Sequence, residues 1–206
     1  MEEKPIRERE DGEMTEEITR AYSFSTVGPR NTKKTLRASI ERAQQLDIGY
    51  IVVASSSGRT AFQLKDLSDE LGYDGQLVAV THHTGYSEAG VNKLMEEDRA
   101  RLLEGGFTVL TATHALSSIS RSYRMKFGGI DLLEAVAEAF RRFSQGVKAA
   151  IECAIMAADA GAVPVEGDII AIAGTGKGAD SAIVIRAANQ NRFFDLKVRE
   201  IIAMPR

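Results

Sequence analysis

The sequence of 206 residues has a single cysteine, Cys153, and no apolar stretch approaching the length of a membrane-spanning helix. One cysteine cannot form an internal disulfide, and a bilayer span needs about 20 apolar residues. Residues 1–17 are charged and lack the apolar core that a signal peptide requires. We therefore expect a cytoplasmic protein with no membrane partner.

Concentrated positive charge is also missing. The formal net charge is −3, and the Lys and Arg residues are scattered along the chain. Proteins that neutralise several phosphates of a nucleic acid carry a basic surface, so no nucleic-acid partner is expected. With 44% apolar residues, the chain suits one core. We predict a charged extension over residues 1–20 and a single α/β domain over residues 21–206.

Apolar, β-branched runs alternate with helical patterns. Strands are predicted at residues 48–54, 76–80, 107–110, 168–173, 181–187 and 198–204. The turn between residues 173 and 181 is too short for a parallel crossover and predicts an antiparallel hairpin. The expected fold is a three-layer α/β/α sandwich whose mixed, mostly parallel sheet of about five strands ends in that hairpin.

The helices and loops are predicted with less regular signals. Residues 92–103 and 146–160 predict helices, and Asp131 with Glu134 predicts a capping box for another. Residues 111–129 predict a long polar loop, which in a compact domain is usually functional. Ligands of open α/β sheets bind outside the carboxyl ends of the parallel strands, so the loops after these strands should share one rim.

A serine-rich loop follows the first long strand and is the main candidate site. It consists of Ser55, Ser56, Ser57, Gly58, Arg59 and Thr60. Hydroxyls, a flexible glycine, a guanidinium group and the start of a helix together favour a bound phosphate. The alternative is a helix N-cap with spare serines, because capping alone favours Ser and Thr.

All three histidines follow predicted strands on the same rim. Together with neighbouring hydroxyls they extend the candidate ligand site to Thr81, His82, His83, His114, Ser117 and Ser118. Hydrogen bonding to a ligand or stacking on it is the favoured interpretation, and ordinary polar loop residues are the alternative. No carboxylate or cysteine accompanies the histidines at a recognisable ligand spacing, so we predict no metal site. Tyr123 and the arginines near it suit either a ligand or a subunit contact.

A glycine-rich turn completes the set with Gly174, Thr175, Gly176 and Lys177. It fails the Walker pattern and leads into a strand instead of a helix, which favours a flexible hairpin turn. Cys153 lies in an apolar helical run and is interpreted as a small buried hydrophobe.

Residues 48–63, a hydrophobic strand followed by Ser-Gly-Arg-Thr-Ala-Phe-Gln, resemble the C-terminal domain of pyruvate kinase. There an apolar strand runs into a Ser-Gly-Arg-Ser-Ala loop. The next strand with its final Val-Thr, and the Gly-Asp-strand-Gly hairpin from Gly167, are also similar, so the resemblance covers residues 32–186. It implies that the serine loop grips a phosphate and that the glycine turn approaches the same ligand. It implies no kinase activity, because the catalytic barrel is missing.

The whole chain also resembles a group of stand-alone archaeal proteins with this fold, whose function is uncharacterised. That resemblance implies flavin mononucleotide (FMN) as the ligand. Separately, we expect a homo-oligomer. Two other functions remain open. One is an enzyme acting on a phosphorylated metabolite with a histidine as acid or base. The other is a regulatory or structural subunit without a ligand.

Overall fold

The computed structural model describes residues 20–206, so all but the last residue of the predicted charged extension lies outside the described part. The strands are β1 Tyr22–Phe24, β2 Tyr50–Ala54, β3 Gln76–Thr81, β4 Phe107–Thr111, β5 Ile169–Ala173, β6 Ser181–Arg186 and β7 Lys197–Pro205. The α-helices are α1 Thr32–Gln45, α2 Arg59–Leu71, α3 Glu96–Glu104, α4 Ser118–Phe127, α5 Leu132–Arg141 and α6 Gln145–Asp159. Short 3-10 helices cover Pro29–Asn31 and Gln190–Asp195.

All seven strands form one sheet in the order β1-β7-β6-β5-β2-β3-β4. β6 runs antiparallel to both of its neighbours, and the other pairs are parallel. The mixed, mostly parallel α/β sheet with its β5–β6 hairpin is therefore confirmed. The sheet has seven strands instead of the expected five or so: the strand predicted at residues 198–204 is β7, and β1 pairs beyond it at the edge.

Helices cover both faces of the sheet, and alternate residues of each strand feed two cores. In β2, Ile51 and Val53 join a core with Leu36 of α1 and Leu64 of α2. Val52 points to the other face, where a second core is built largely from the apolar side of α6. Burial on both faces explains why β2 reads as a continuous apolar run.

The prediction of a long loop over residues 111–129 is wrong, because this segment contains helix α4. Its serine-rich sequence has modest helix propensity. The helix is held by tertiary contacts instead: the Arg121 guanidinium lies 4.8 Å from the Tyr86 ring centroid, and Arg124 forms a 2.5 Å ion pair with Glu134.

Helix α3 begins at Glu96, four residues later than predicted. Before it, the backbone N–H of Leu94 donates a 2.9 Å hydrogen bond to the side-chain oxygen of Asn92. Such an Asx turn competes with helical backbone pairing and delays the start of the helix.

Other helix ends agree with the sequence. Asp131 caps α5 by accepting a 2.9 Å hydrogen bond from the Glu134 N–H, while the Glu134 carboxylate turns to Arg124 and Arg141. Ser144 caps α6 through the Val147 N–H at 2.9 Å. Within residues 20–206, every helix is too short or too polar to cross a membrane.

Candidate functional site

A pocket of about 630 Å³ opens where β2, β3, β4 and β5 end, and we call it the rim pocket. Twelve of the predicted site residues line it: Ser55, Ser56, Ser57, Arg59, Thr60, Thr81, His82, His114, Ser117, Gly174, Gly176 and Lys177. Gly58, His83 and Thr175 lie beside the pocket without lining it. Ser118 begins α4, but its side chain is outside what the structure describes. The volume is in the range of small-molecule sites.

The residues of the serine loop have two different roles: one stabilises helix α2, and others are exposed to the pocket. Ser55 is buried, and its hydroxyl accepts a 3.2 Å hydrogen bond from the Ala61 N–H in the first turn of α2. Ser55 therefore serves helix α2, as the capping alternative expects. Ser57 and Arg59 are exposed and line the pocket. They are the members of the loop most accessible to a ligand.

The turn of the serine loop depends on Gly58. Its φ of +80° is a left-handed conformation that favours glycine, and it stands at the N-cap of α2. A Cβ there would lie 3.0 Å from the Phe62 ring and 3.2 Å from the Leu94 side chain. Glycine is therefore required both for the turn and for close packing.

The pocket lining is strongly basic. It carries seven Lys and Arg side chains: Arg59, Lys93, Arg121, Arg124, Arg141, Lys148 and Lys177. Only two carboxylates, Glu134 and Glu152, accompany them, which leaves a formal surplus of five positive charges in a chain whose net charge is −3. Within residues 20–206, the side chains of Arg59 and Lys177 form no ion pair or hydrogen bond with another residue.

Four rings form an aromatic cluster in the same rim region as the serine loop: His82, His83, Tyr86 and His114. Tyr86 lies stacked on His114 with centroids 5.3 Å apart and an interplanar angle of 24°. Its centroid is 4.0 Å from that of His82. The pocket-lining members are Tyr86, His82 and His114, which offer flat faces as well as polar edges.

Two histidines of this cluster, His82 and His114, have lowered pKa values that favour their neutral forms. Burial, with help from the neighbouring His114 and Lys93, lowers the pKa of His82 to about 4. Burial also lowers the pKa of His114, although the carboxylate of Glu152 opposes the shift. The buried Nδ1 atoms of His82 and His83 have no hydrogen-bond partner among the described residues.

Sequence reasoning missed several lining residues on the rim loops. Tyr86 and Lys93 lie in the segment between β3 and α3, and the rim rule alone could have indicated that segment. Arg121 and Arg124 were left open between a ligand contact and a subunit contact, and both line the pocket from α4. Tyr123 is 63% exposed and contacts Phe127 instead of lining the pocket.

One wall of the pocket comes from α6, which the sequence analysis predicted as a helix but did not assign to the site. Lys148, Glu152 and Cys153 line the pocket at their places on an otherwise apolar helix. The Glu152 carboxylate accepts a 2.9 Å hydrogen bond from the Leu116 N–H and lies 3.9 Å from Nδ1 of His114. Burial raises the pKa of the Cys153 thiol to about 12, which agrees with a small buried hydrophobe and not a nucleophile.

The glycine turn closes the pocket from the β5–β6 side. Gly174, Gly176 and Lys177 line it, whereas Thr175 turns inward and donates its N–H to Asp180 at 3.2 Å. The Thr175 hydroxyl oxygen is buried without a partner among the described residues. The predicted hairpin turn is confirmed by the β5–β6 pairing.

Within residues 20–206, no group of three or more His, Cys, Asp or Glu side chains is arranged to hold a metal ion. A family model described as pyruvate kinase, alpha/beta domain, matches residues 33–185 of the chain. The matched segment runs from the start of α1 to the end of β6 and contains every residue that lines the rim pocket.

Proposed function

The chain belongs to the pyruvate kinase alpha/beta domain family, and we propose that the rim pocket of this member binds a phosphorylated small molecule. The observation that carries the proposal is the surplus of five positive charges in the pocket of an acidic chain. Gathering like charges in a cleft is unfavourable unless an anion offsets them. A phosphorylated metabolite is an anion of suitable size for this pocket.

The phosphate is proposed to bind at the serine loop. The Ser57 hydroxyl and the Arg59 guanidinium are exposed to the pocket and can donate to phosphate oxygens. Helix α2 begins at Arg59, so the positive end of its dipole and its first N–H groups are at the same position. Lys177 of the glycine turn provides a further cation without a protein partner among the described residues.

The remainder of the ligand is proposed to be a flat ring. The stacked Tyr86 and His114 and the adjacent His82 offer aromatic faces within the same pocket. FMN joins a phosphate to a planar ring system, so it is the specific ligand we propose.

Titration calorimetry of the purified chain with FMN, and with riboflavin as the counterpart that lacks the phosphate, tests the proposal. We expect FMN to bind more tightly, and Arg59→Ala or Ser57→Ala to remove most of that advantage. Arg192→Ala is the matched control, because Arg192 follows β6, which runs antiparallel to β5 and ends at the opposite ends of the strands from the rim pocket. Equal affinities for both compounds, or an unchanged FMN affinity in Arg59→Ala, would contradict the proposal.

A second candidate function is an enzyme that uses His114 as a general base. The favouring observation is the His114 Nδ1 atom 3.9 Å from the Glu152 carboxylate, on a ring that lines the pocket. Its lowered pKa keeps the imidazole neutral and able to accept a proton at neutral pH. Turnover in a screen of phosphorylated metabolites that is lost in His114→Gln, with ligand binding retained, would support this function. An inert screen would count against it.

A further inference from the structure

Helix α6 carries a buried ion pair in an otherwise apolar surface. The side chains of Lys148 and Glu152 are each 5% exposed, and Nζ lies 2.5 Å from Oε2. Val147, Ala150 and Ile151 around them are fully packed into the second core. A buried ion pair pays a desolvation cost, and apolar residues of similar volume often stabilise a fold equally well. The pair therefore calls for a role other than stability.

The two partners differ in how completely they are satisfied. Both oxygens of Glu152 are engaged, one by Lys148 and the other by the N–H of Leu116. A lysine ammonium group has three N–H donors. Within residues 20–206, Glu152 is the only hydrogen-bond acceptor of the Lys148 ammonium group. Lys148 therefore faces the rim pocket with donors to spare, held in position by Glu152.

We infer that Lys148 binds an oxygen acceptor on the part of the ligand that is distant from its phosphate. This inference rests on the proposed function and adds the class of ligand: a phosphorylated molecule whose other end bears a carboxylate or carbonyl oxygen. Both groups accept hydrogen bonds from an ammonium group, and a charge-assisted hydrogen bond is the stronger kind. Glu152 is a positioning residue, because it orients Lys148 and has no free oxygen for the ligand.

The competing possibility is that Lys148 contacts the phosphate itself. The cations assigned to the phosphate, Arg59 and Lys177, lie on the serine loop and the glycine turn, whereas Lys148 lies on the α6 wall. If Lys148 contacts the phosphate, replacing it should weaken the binding of every phosphate ester equally. If it contacts the distant end, replacing it should weaken the binding only of esters that carry an acceptor oxygen there.

Three probes separate these cases: phenyl phosphate, 4-carboxyphenyl phosphate and 4-acetylphenyl phosphate, each titrated into the full chain by calorimetry. We expect one or both substituted esters to bind about tenfold more tightly than phenyl phosphate, as one charge-assisted hydrogen bond provides. If only 4-carboxyphenyl phosphate binds more tightly, the ligand bears a carboxylate. If both substituted esters gain affinity equally, any acceptor oxygen suffices.

The variant Lys148→Met combined with Glu152→Gln removes the cation without leaving a buried charge unpaired, and it should abolish the preference, so that all three esters bind this variant with the same affinity. Lys65→Met combined with Asp69→Asn is the matched control, because it removes an ion pair of the same i,i+4 spacing at the surface of α2. Equal affinity of the wild-type chain for all three probes would overturn the inference without any variant. So would a preference that survives in the Lys148→Met, Glu152→Gln variant, or an equal loss for all three probes.

Failure of the proposed function has a different signature. In that case phenyl phosphate does not bind the wild-type chain, or its affinity is unchanged by Arg59→Ala. Binding of phenyl phosphate that depends on Arg59, with no effect of the added acceptor group, would overturn only the role of Lys148.

Discussion

The backbone N–H of Gly28 donates a 2.8 Å hydrogen bond to Oδ2 of Asp180, although 152 positions separate the two residues. The same carboxylate is fully buried and also accepts from the Thr175 N–H and the Ser181 hydroxyl. Asp180 thus joins the segment before α1 to the glycine turn that lines the rim pocket. Its three hydrogen bonds satisfy a buried charge and hold that turn in place.

Replacing this carboxylate tests how much the network stabilises the fold. We expect Asp180→Ala to lower the free energy of unfolding by about 3 kcal/mol, since buried donors lose a charged acceptor that water cannot replace. Asp159→Ala is the matched control, because Asp159 also accepts three hydrogen bonds but is exposed. Its loss should cost less than about 1 kcal/mol. Urea denaturation measures both, and similar losses would contradict the prediction.

Gly58→Ala should disturb the serine loop through both strain and contact. The new methyl group would meet the Phe62 ring at 3.0 Å while the backbone keeps a φ of +80°. Gly90→Ala has a similar φ of +74° with open space around it, so it carries the strain alone, about 1 kcal/mol. We expect Gly58→Ala to lose clearly more stability than Gly90→Ala in thermal denaturation, and to weaken FMN binding. Equal losses would mean that the loop accommodates the methyl group.

Tyr86→Leu tests the aromatic part of the site. Removing the ring stacked on His114 should reduce the affinity for FMN about five- to tenfold, the size of a typical aromatic pairing energy, and leave the affinity for inorganic phosphate unchanged. Tyr123→Leu is the control, since that ring is exposed and lies against Phe127. Fluorescence titration measures the FMN affinity. An equal loss for phosphate and FMN would show that the ring serves only to hold the loop.

The lowered pKa of His82 predicts that the free energy of unfolding decreases in mild acid. The unfolded chain binds a proton at His82 near pH 6.5, whereas the folded chain does so only near its lowered pKa of about 4. Unfolding therefore takes up a proton between these values, so this contribution to stability is complete above pH 6.5 and is lost as the pH falls towards 4. In urea denaturation at several pH values, His82→Gln should flatten the dependence. An unchanged slope in the variant would contradict the lowered pKa.

Much of the fold and the position of the site follow from local sequence patterns. β2 and β5 are buried on both faces, so their residues form continuous apolar runs that mark parallel strands. Parallel strands end at one rim, and this rule alone brings the serine loop, His82 and His114 together. The Asp131 cap and the β5–β6 hairpin are equally local, since each depends on residues close in sequence.

Other features depend on contacts between residues that are far apart in the sequence. Helix α4 exists because Arg121 and Arg124 meet Tyr86 and Glu134, partners that no local pattern reveals. Lys148 and Glu152, four residues apart on a helix, look in sequence like a common solvent-exposed pair. Their burial in the pocket wall depends on which face of α6 meets the sheet. Strand direction is encoded locally, so the sequence places the candidate site at the rim, whereas long-range packing selects the charges and rings that surround it.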